Sequence, residues 1–130
     1  MPESISVSAI IPASREKIYK AWLNSGEHAN MTGSNAVINP GKGGKFKAWD
    51  GYITGKNIEL DPFSRIVQSW RTSEFSDDHE DSLLEILLED HKGKTRITLK
   101  HTNIPDGQGE SYKKGWSEFY FMPMKKYFKG

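Results

Sequence analysis

The residues able to do chemistry are few and scattered along the chain. Of the four histidines, His101 alone falls in register with an apolar strand face, beside Ile97 and Leu99. An imidazole cut off from water there needs a hydrogen-bond partner or costs a few kcal/mol of desolvation. Gln68, in register with Ile66 and Trp70, raises the same question. Either structural hydrogen bonds satisfy the two groups, or they orient a polar group of a ligand inside a mainly apolar pocket. A hydrolase or cyclase reading needs more: His101 as general base and Tyr120 as donor would have to converge on one open site. The run Glu74-Phe75-Ser76-Asp77-Asp78-His79-Glu80-Asp81 offers oxygen ligands to a hard cation, but no spacing in it matches an EF-hand or a zinc motif, and it reads as a solvated hairpin loop. Gly41-Lys42-Gly43-Gly44-Lys45 lacks the Lys-Ser or Lys-Thr and the following helix of a phosphate-binding loop. It reads instead as a mobile loop at a pocket rim. No nucleophile-elbow motif singles out a serine, so no catalytic residue is assigned, and no metal or cofactor is expected.

The bulk numbers narrow the classes further. The chain has 130 residues, a length that buries roughly two-thirds of its unfolded surface in one domain, here taken as 1–130. Eighteen Lys and Arg face 17 Asp and Glu, and a net charge of +1 supplies no field for nucleic acid. There is no cysteine, which fits a reducing compartment. Met1-Pro2-Glu3-Ser4 is not a basic stretch leading into an apolar one, and no apolar run approaches the ~18 residues of a membrane span, so a soluble cytoplasmic protein without membrane insertion is expected. Aromatic residues make up 12% of the chain, four of them Trp, and large rings dominate burial where they cluster.

The elements that must position these groups follow from periodicity. Ile5, Val7, Ala9 and Ile11 alternate with polar residues as on a half-buried strand. Pro12 ends it; Ser14 caps a helix carrying Ile18, Tyr19, Trp22 and Leu23, and Ser25 is expected to cap a second short helix through His28 and Met31, closed by Gly33. From about Ala36 the period is two. Asp50-Gly51 marks a hairpin that pairs Trp49 with Tyr52, with Phe46, Ala48, Ile53 and Gly55 on one face and both rings on the other, toward water. Strands over 65–71, 82–89 and 94–102 follow, the latter two with Leu84, Ile86, Leu88, Ile97, Leu99 and His101 inward. Residues 110–128 form a long aromatic helix that Pro123 is expected to kink. Trp116 is its expected anchor and a pocket wall, with Gly115 letting the helix approach the sheet closely. The simplest arrangement lays this helix across a curved antiparallel sheet, an α+β fold.

Several segments stand in the order of a known family: Gly43-Gly44-Lys45-Phe46, Trp49-Asp50-Gly51, Ile66-Val67 through Trp70-Arg71, Ile104-Pro105, and Gly115-Trp116 through Tyr120-Phe121 followed by Met124 to Phe128. From Ile5 to Phe128 the chain resembles the family homologous to the C-terminal domain of the activator of heat-shock protein 90 ATPase, within the START-like (SRPBCC) superfamily. The resemblance implies the helix-grip (START-like, Bet v-like) fold: about seven antiparallel strands around a long C-terminal helix, with two short helices after the first strand. It also implies two kinds of partner. Superfamily members hold lipids, steroids or polyketide intermediates between sheet and helix, whereas the eukaryotic activators carry a further N-terminal domain that grips the chaperone.

A non-enzymatic domain that binds a small apolar or amphipathic ligand is therefore the leading expectation. Its pocket would be lined by Trp22, Met31, Phe46, Ile53, Gln68, Trp70, Leu84, Leu99, His101, Trp116, Tyr120 and Met124. The alternative is a co-chaperone-like partner of a heat-shock protein 90 homologue, with Trp49 and Tyr52 as exposed contact candidates. A cyclase or hydrolase comes third.

Overall fold

A computed structural model describes residues 3–128. Strand β1 (Glu3–Ile11) leads into α1 (Arg15–Leu23) and α2 (Ser25–Thr32), followed by β2 (Ala36–Ile38), β3 (Lys45–Ala48), β4 (Ile53–Asp61), β5 (Arg65–Thr72), β6 (Ser82–His91) and β7 (Lys94–Ile104). A continuous C-terminal helix ends the order: α3 (Gly109–Gly115), a π segment (Trp116–Phe121) and α4 (Met122–Tyr127). The strands form one antiparallel sheet in the order β1-β7-β6-β5-β4-β3-β2, so β1 closes the far edge beside β7. This is the curved helix-grip arrangement, α+β in class.

Local chemistry accounts for the boundaries. The Ser14 hydroxyl accepts the Lys17 amide at 3.2 Å and starts α1, which buries Ile18, Ala21, Trp22 and Leu23. Asn24, not Ser25, caps α2: its side-chain oxygen takes the Glu27 amide at 2.9 Å. Ser25 is drawn into a different task. Its hydroxyl accepts the Ile38 amide at 2.7 Å and donates to the Ile38 carbonyl at 3.2 Å, pinning β2 to α2. At the end of α2, Gly33 adopts φ 80°, where a side chain would be strained.

The β3–β4 register is the one Asp50-Gly51 implies, with Ala48 opposite Ile53 and Phe46 opposite Gly55. The ladder stops there. Trp49 (φ 54°), Asp50 (φ 58°) and Gly51 (φ 92°) are all left-handed, held by the Asn35 amide on the Asp50 carboxylate at 2.7 Å. Left-handed backbone at a residue as bulky as Trp costs about 1–2 kcal/mol. It turns Trp49 and Tyr52 away from the outer face on which alternation places them.

Strand β4 meets its neighbours most closely at Gly55. A β-carbon there would collide with the Ser69 carbonyl oxygen and the Phe46 ring, and the β4–β5 register slips between Asn57 and Glu59. Asn57, fully buried, holds the 39–44 loop: its side-chain amide donates to the Asn39 and Gly41 carbonyls at 3.0 and 3.1 Å, and its backbone pairs with Gly43 and Gly44. The glycine-rich loop is thus tied down rather than mobile.

Pro123 does not simply kink the C-terminal helix. The turn before it widens to π geometry, with the Met122 amide reaching back to Ser117, and Pro123 then sits in the first turn of α4, where a missing N–H is tolerated. Tyr112, Trp116, Tyr120, Phe121 and Met124 are the buried side of this helix. At its start the Glu3 carboxylate accepts the Gly109 amide at 2.7 Å, tying α3 to β1.

Candidate functional site

The packing of the C-terminal helix on the sheet brings aromatic rings together in numbers that hydrophobicity alone does not arrange. Indole, phenol and imidazole each carry polar atoms that must find partners once buried. Trp116 donates its Nε1–H to His101 Nδ1 at 3.3 Å. Since an indole nitrogen can only donate, His101 is the Nε2–H tautomer and donates to Ser82 Oγ at 2.8 Å. Ser82 in turn donates to the Trp70 carbonyl at 2.5 Å. The relay runs from helix to β7, β6 and β5 without a gap.

A second relay passes through His28. Its Nδ1 meets the Trp22 carbonyl at 2.9 Å and its Nε2 meets Tyr120 Oη at 2.9 Å. The carbonyl accepts only, so Nδ1 carries the hydrogen and Tyr120 donates to Nε2. Trp22 donates its Nε1–H to Gln68 Oε1 at 3.3 Å, and Gln68 Nε2 donates to Asn57 Oδ1 at 2.8 Å. Among the described residues no buried side-chain nitrogen or oxygen lacks a partner. Burial lowers both imidazoles, His101 to about 3, and raises the Tyr120 hydroxyl well above the usual tyrosine range.

In front of these relays lies a cavity of about 340 Å³ between β4, β5 and the C-terminal helix. Its aromatic wall is one chain of touching rings. Phe119 and Trp49 lie 5.6 Å apart between centroids, Trp49 and Tyr120 6.2 Å, Tyr120 and Trp116 5.0 Å, Trp116 and Trp70 5.5 Å, Trp70 and Tyr112 4.9 Å. Ile53, Tyr52, Gly115, Ser111 and Glu74 complete the lining. The Tyr52 hydroxyl donates to the Glu74 carboxylate, and burial followed by this bond pushes Tyr52 up to about 12. A wider hollow of about 620 Å³ over α1 and α2 is lined by Lys20, Glu27, Asn24 and Ser25 among others and has no such aromatic enclosure.

With that geometry in place, comparison with known proteins is informative. A family model described as Activator of Hsp90 ATPase homolog 1-like protein matches residues 12–129. The chain belongs to that family. The human Activator of 90 kDa heat shock protein ATPase homolog 1 is 26% identical over 124 residues, 95% of this chain and 36% of the relative. The Activator of 90 kDa heat shock protein ATPase homolog of Dictyostelium discoideum is 32% identical over 98 residues, 75% of this chain and 26% of the relative. The chain thus spans about a third of the length of the curated relatives it matches. In fold it is similar to the crystal structure of an HSP90 activator from Plasmodium falciparum, with TM-score 0.87 at 22% identity, covering 95% of this chain and 94% of that one.

Within this member of the Hsp90-activator-like family, the structure sorts the twelve residues expected at the pocket. Ile53, Trp70, Trp116 and Tyr120 line the cavity. Met31, Phe46, Leu84, Leu99 and Met124 are core residues, and Trp22, Gln68 and His101 belong to the relays behind the wall. His101, fully buried with both nitrogens engaged, and Tyr120, with its hydroxyl on His28, do not converge on an open site as a general-base reading requires.

The sequence places Trp49 and Tyr52 toward water and Glu74 in a solvated loop; Tyr52 and Glu74 are exposed, Trp49 is half-buried, and all three line the cavity. It also expected Gly115 to let the helix approach the sheet. A β-carbon at Gly115 would meet only the Phe119 ring, at an ordinary 3.8 Å, so the missing side chain leaves room in the cavity instead. Metal binding finds no support in the acidic run: no group of three or more His, Asp or Glu is arranged for a metal among the described residues. Arg71 instead ties the run down, on Asp81 at 2.7 Å and the Ser76 carbonyl at 3.0 Å. No helix among the described residues is long and apolar enough to cross a membrane.

The relay makes a pH prediction. His101 stays neutral in the folded chain down to about pH 3, whereas an unfolded imidazole takes up its proton near 6.5. Between these values the unfolded chain holds the extra proton, so the stability is complete above about pH 6.5 and is lost as the pH falls toward 3. From about pH 6.5 down to about 5, urea unfolding of the wild type should lose stability more steeply than His101→Asn, the difference growing toward about 1.4 kcal/mol per pH unit near pH 5. Equal slopes would contradict the burial of a neutral His101.

Proposed function

We propose that this domain is a non-enzymatic binding module that holds a small apolar or amphipathic molecule in the aromatic cavity between the sheet and the C-terminal helix. The void of about 340 Å³ carries the reading. It falls at the lower end of the size range of small-molecule sites and is walled by side chains of the type that line them. A chain that sought only stability would fill such a space, since interiors pack like crystals. Here the wall includes a glycine where the helix could carry a larger residue, and a tryptophan whose backbone is left-handed.

Gly115 supplies the test. Leucine there extends into the cavity, and because glycine is among the poorest helix formers, Gly115→Leu should keep or raise the thermal midpoint, by an amount equivalent to about 1 kcal/mol at most. Native mass spectrometry of protein purified from its own host should then find a retained small molecule on the wild type and none on Gly115→Leu. Bare protein in both would contradict the proposal.

A second reading, association with a heat-shock protein 90 homologue, is favoured by family membership and by the likeness to a similarly sized Plasmodium falciparum chain described as an HSP90 activator. Apolar contact residues available to such a partner are Tyr52, 38% exposed, and Phe119 and Met122 on the C-terminal helix, 53% and 58% exposed. Titration into the chaperone's ATPase assay should change its rate, and Met122→Glu should weaken that change. An unchanged rate at saturation contradicts this reading.

A further inference from the structure

The composition of the cavity wall narrows the ligand beyond "apolar". Aromatic faces are electron-rich and attract cations, most strongly where several rings surround one position and water is displaced. Six rings line this cavity in unbroken contact, and Tyr52 lines it as a seventh. Among the lining residues the one charged side chain is the carboxylate of Glu74.

Glu74 is held there on several sides. Its amide donates to Thr72 Oγ1 at 3.2 Å, its carbonyl accepts from Gln108 Nε2 at 3.2 Å, and its carboxylate accepts from the Tyr52 hydroxyl. No Lys, Arg or His nitrogen lies within ion-pair distance of it among the described residues. This differs from the neighbouring acidic run, where Asp81 is paired with Arg71. On the helix the lining positions are 111, 112, 115, 116, 119 and 120, so Lys113 and Lys114 fall outside the stripe and neither lines the cavity. An anionic ligand would meet a carboxylate and π faces with no positive charge on the wall. A cation meets attraction from both.

We propose that the cavity selects a small organic cation, an ammonium group on an aromatic or short alkyl body, with the charge against the rings of Tyr52, Tyr112 and Trp70 and near the Glu74 carboxylate. This rests on the cavity being a ligand site, and the test separates the two claims. The probes are 3-hydroxyphenyltrimethylammonium and its uncharged carbon isostere 3-tert-butylphenol, equal in shape and opposite in preference for water. Binding is read from the indole N–H signals of Trp49, Trp70 and Trp116 in 1H–15N spectra at about pH 6.5, with both phenols neutral.

The ammonium probe should bind about tenfold more tightly than the more hydrophobic tert-butyl probe, the scale of one desolvated cation–π contact. In Glu74→Gln, an exposed and therefore mild substitution, that ratio should fall at least about threefold, the electrostatic share expected of a nearby exposed carboxylate. Affinity for 3-tert-butylphenol should stay unchanged in that variant. If the tert-butyl probe binds as well as the ammonium or better, the cation inference is overturned and the cavity reading stands. A preference that survives Glu74→Gln undiminished removes Glu74 from the site and overturns the inference as stated. If neither probe moves the indole signals, both claims fall.

Discussion

Burying aromatic residues that carry polar atoms is the constraint on which the rest of this structure depends. Trp22, Trp116, Tyr112 and Tyr120 supply much of the apolar surface between helix and sheet, yet two indole N–H groups and two phenols come with it. Each left unpaired would cost a large fraction of the stability a domain of this size has. The two relays answer that demand for Trp22, Trp116 and Tyr120, and Thr72 and Gln108 answer it for Tyr112. His101 and His28 serve as two-ended connectors, accepting from an aromatic residue of the C-terminal helix on one nitrogen and donating into the sheet or α1 on the other. Only a neutral imidazole can do both.

This arrangement explains how a void can persist beside a well-packed core. Leu84, Leu99, Ile86 and Ile97 under the helix are fully buried, and the rings in front of them are fixed by hydrogen bonds as well as by contact. A ring held at one edge by a directional bond is less free to swing into an adjacent space than a purely apolar one. Trp116 and Tyr120, each anchored through its polar atom, therefore stand as walls rather than as fillers. Left-handed backbone at Trp49 and the Tyr52–Glu74 contact shape the rest of the lining. Phe119 belongs both to the cavity wall and to the exposed face of the helix.

Much of this was legible in the residues. Alternation located the long strands, and Asp50-Gly51 predicted a pairing sum that the Ala48–Ile53 and Phe46–Gly55 pairs satisfy. The polar demand of His101 and Gln68 was visible as a misfit on apolar faces. Its partners were not, because the bonds to Trp116 and to Trp22 and Asn57 join different elements and no local period encodes them. The same holds for His28, whose partner Tyr120 stands 92 positions away. The cavity-lining role of Trp49 and Tyr52 was hidden for a different reason: alternation sets side-chain direction only while the strand lasts, and left-handed dihedrals at two non-glycine residues end it one position early. Glu74 looked like one more acid in a hydrophilic run until Tyr52 and Gln108 were seen to hold it at the cavity. Gly115 carried a signal that admitted either close packing or empty space, and only the volume around it decides between them.

The central claim is that two buried, neutral histidines of defined tautomer hold the aromatic wall in place, and the most direct measurement is of the imidazole nitrogens themselves. Long-range 1H–15N spectra of the folded chain at about pH 5, well below the unperturbed histidine pKa, resolve protonated from unprotonated ring nitrogens. The account predicts that His101 remains neutral there with its hydrogen on Nε2, and that at neutral pH His28 carries its hydrogen on Nδ1. A charged His101 imidazolium in the folded chain, or either ring as the opposite tautomer, would contradict it.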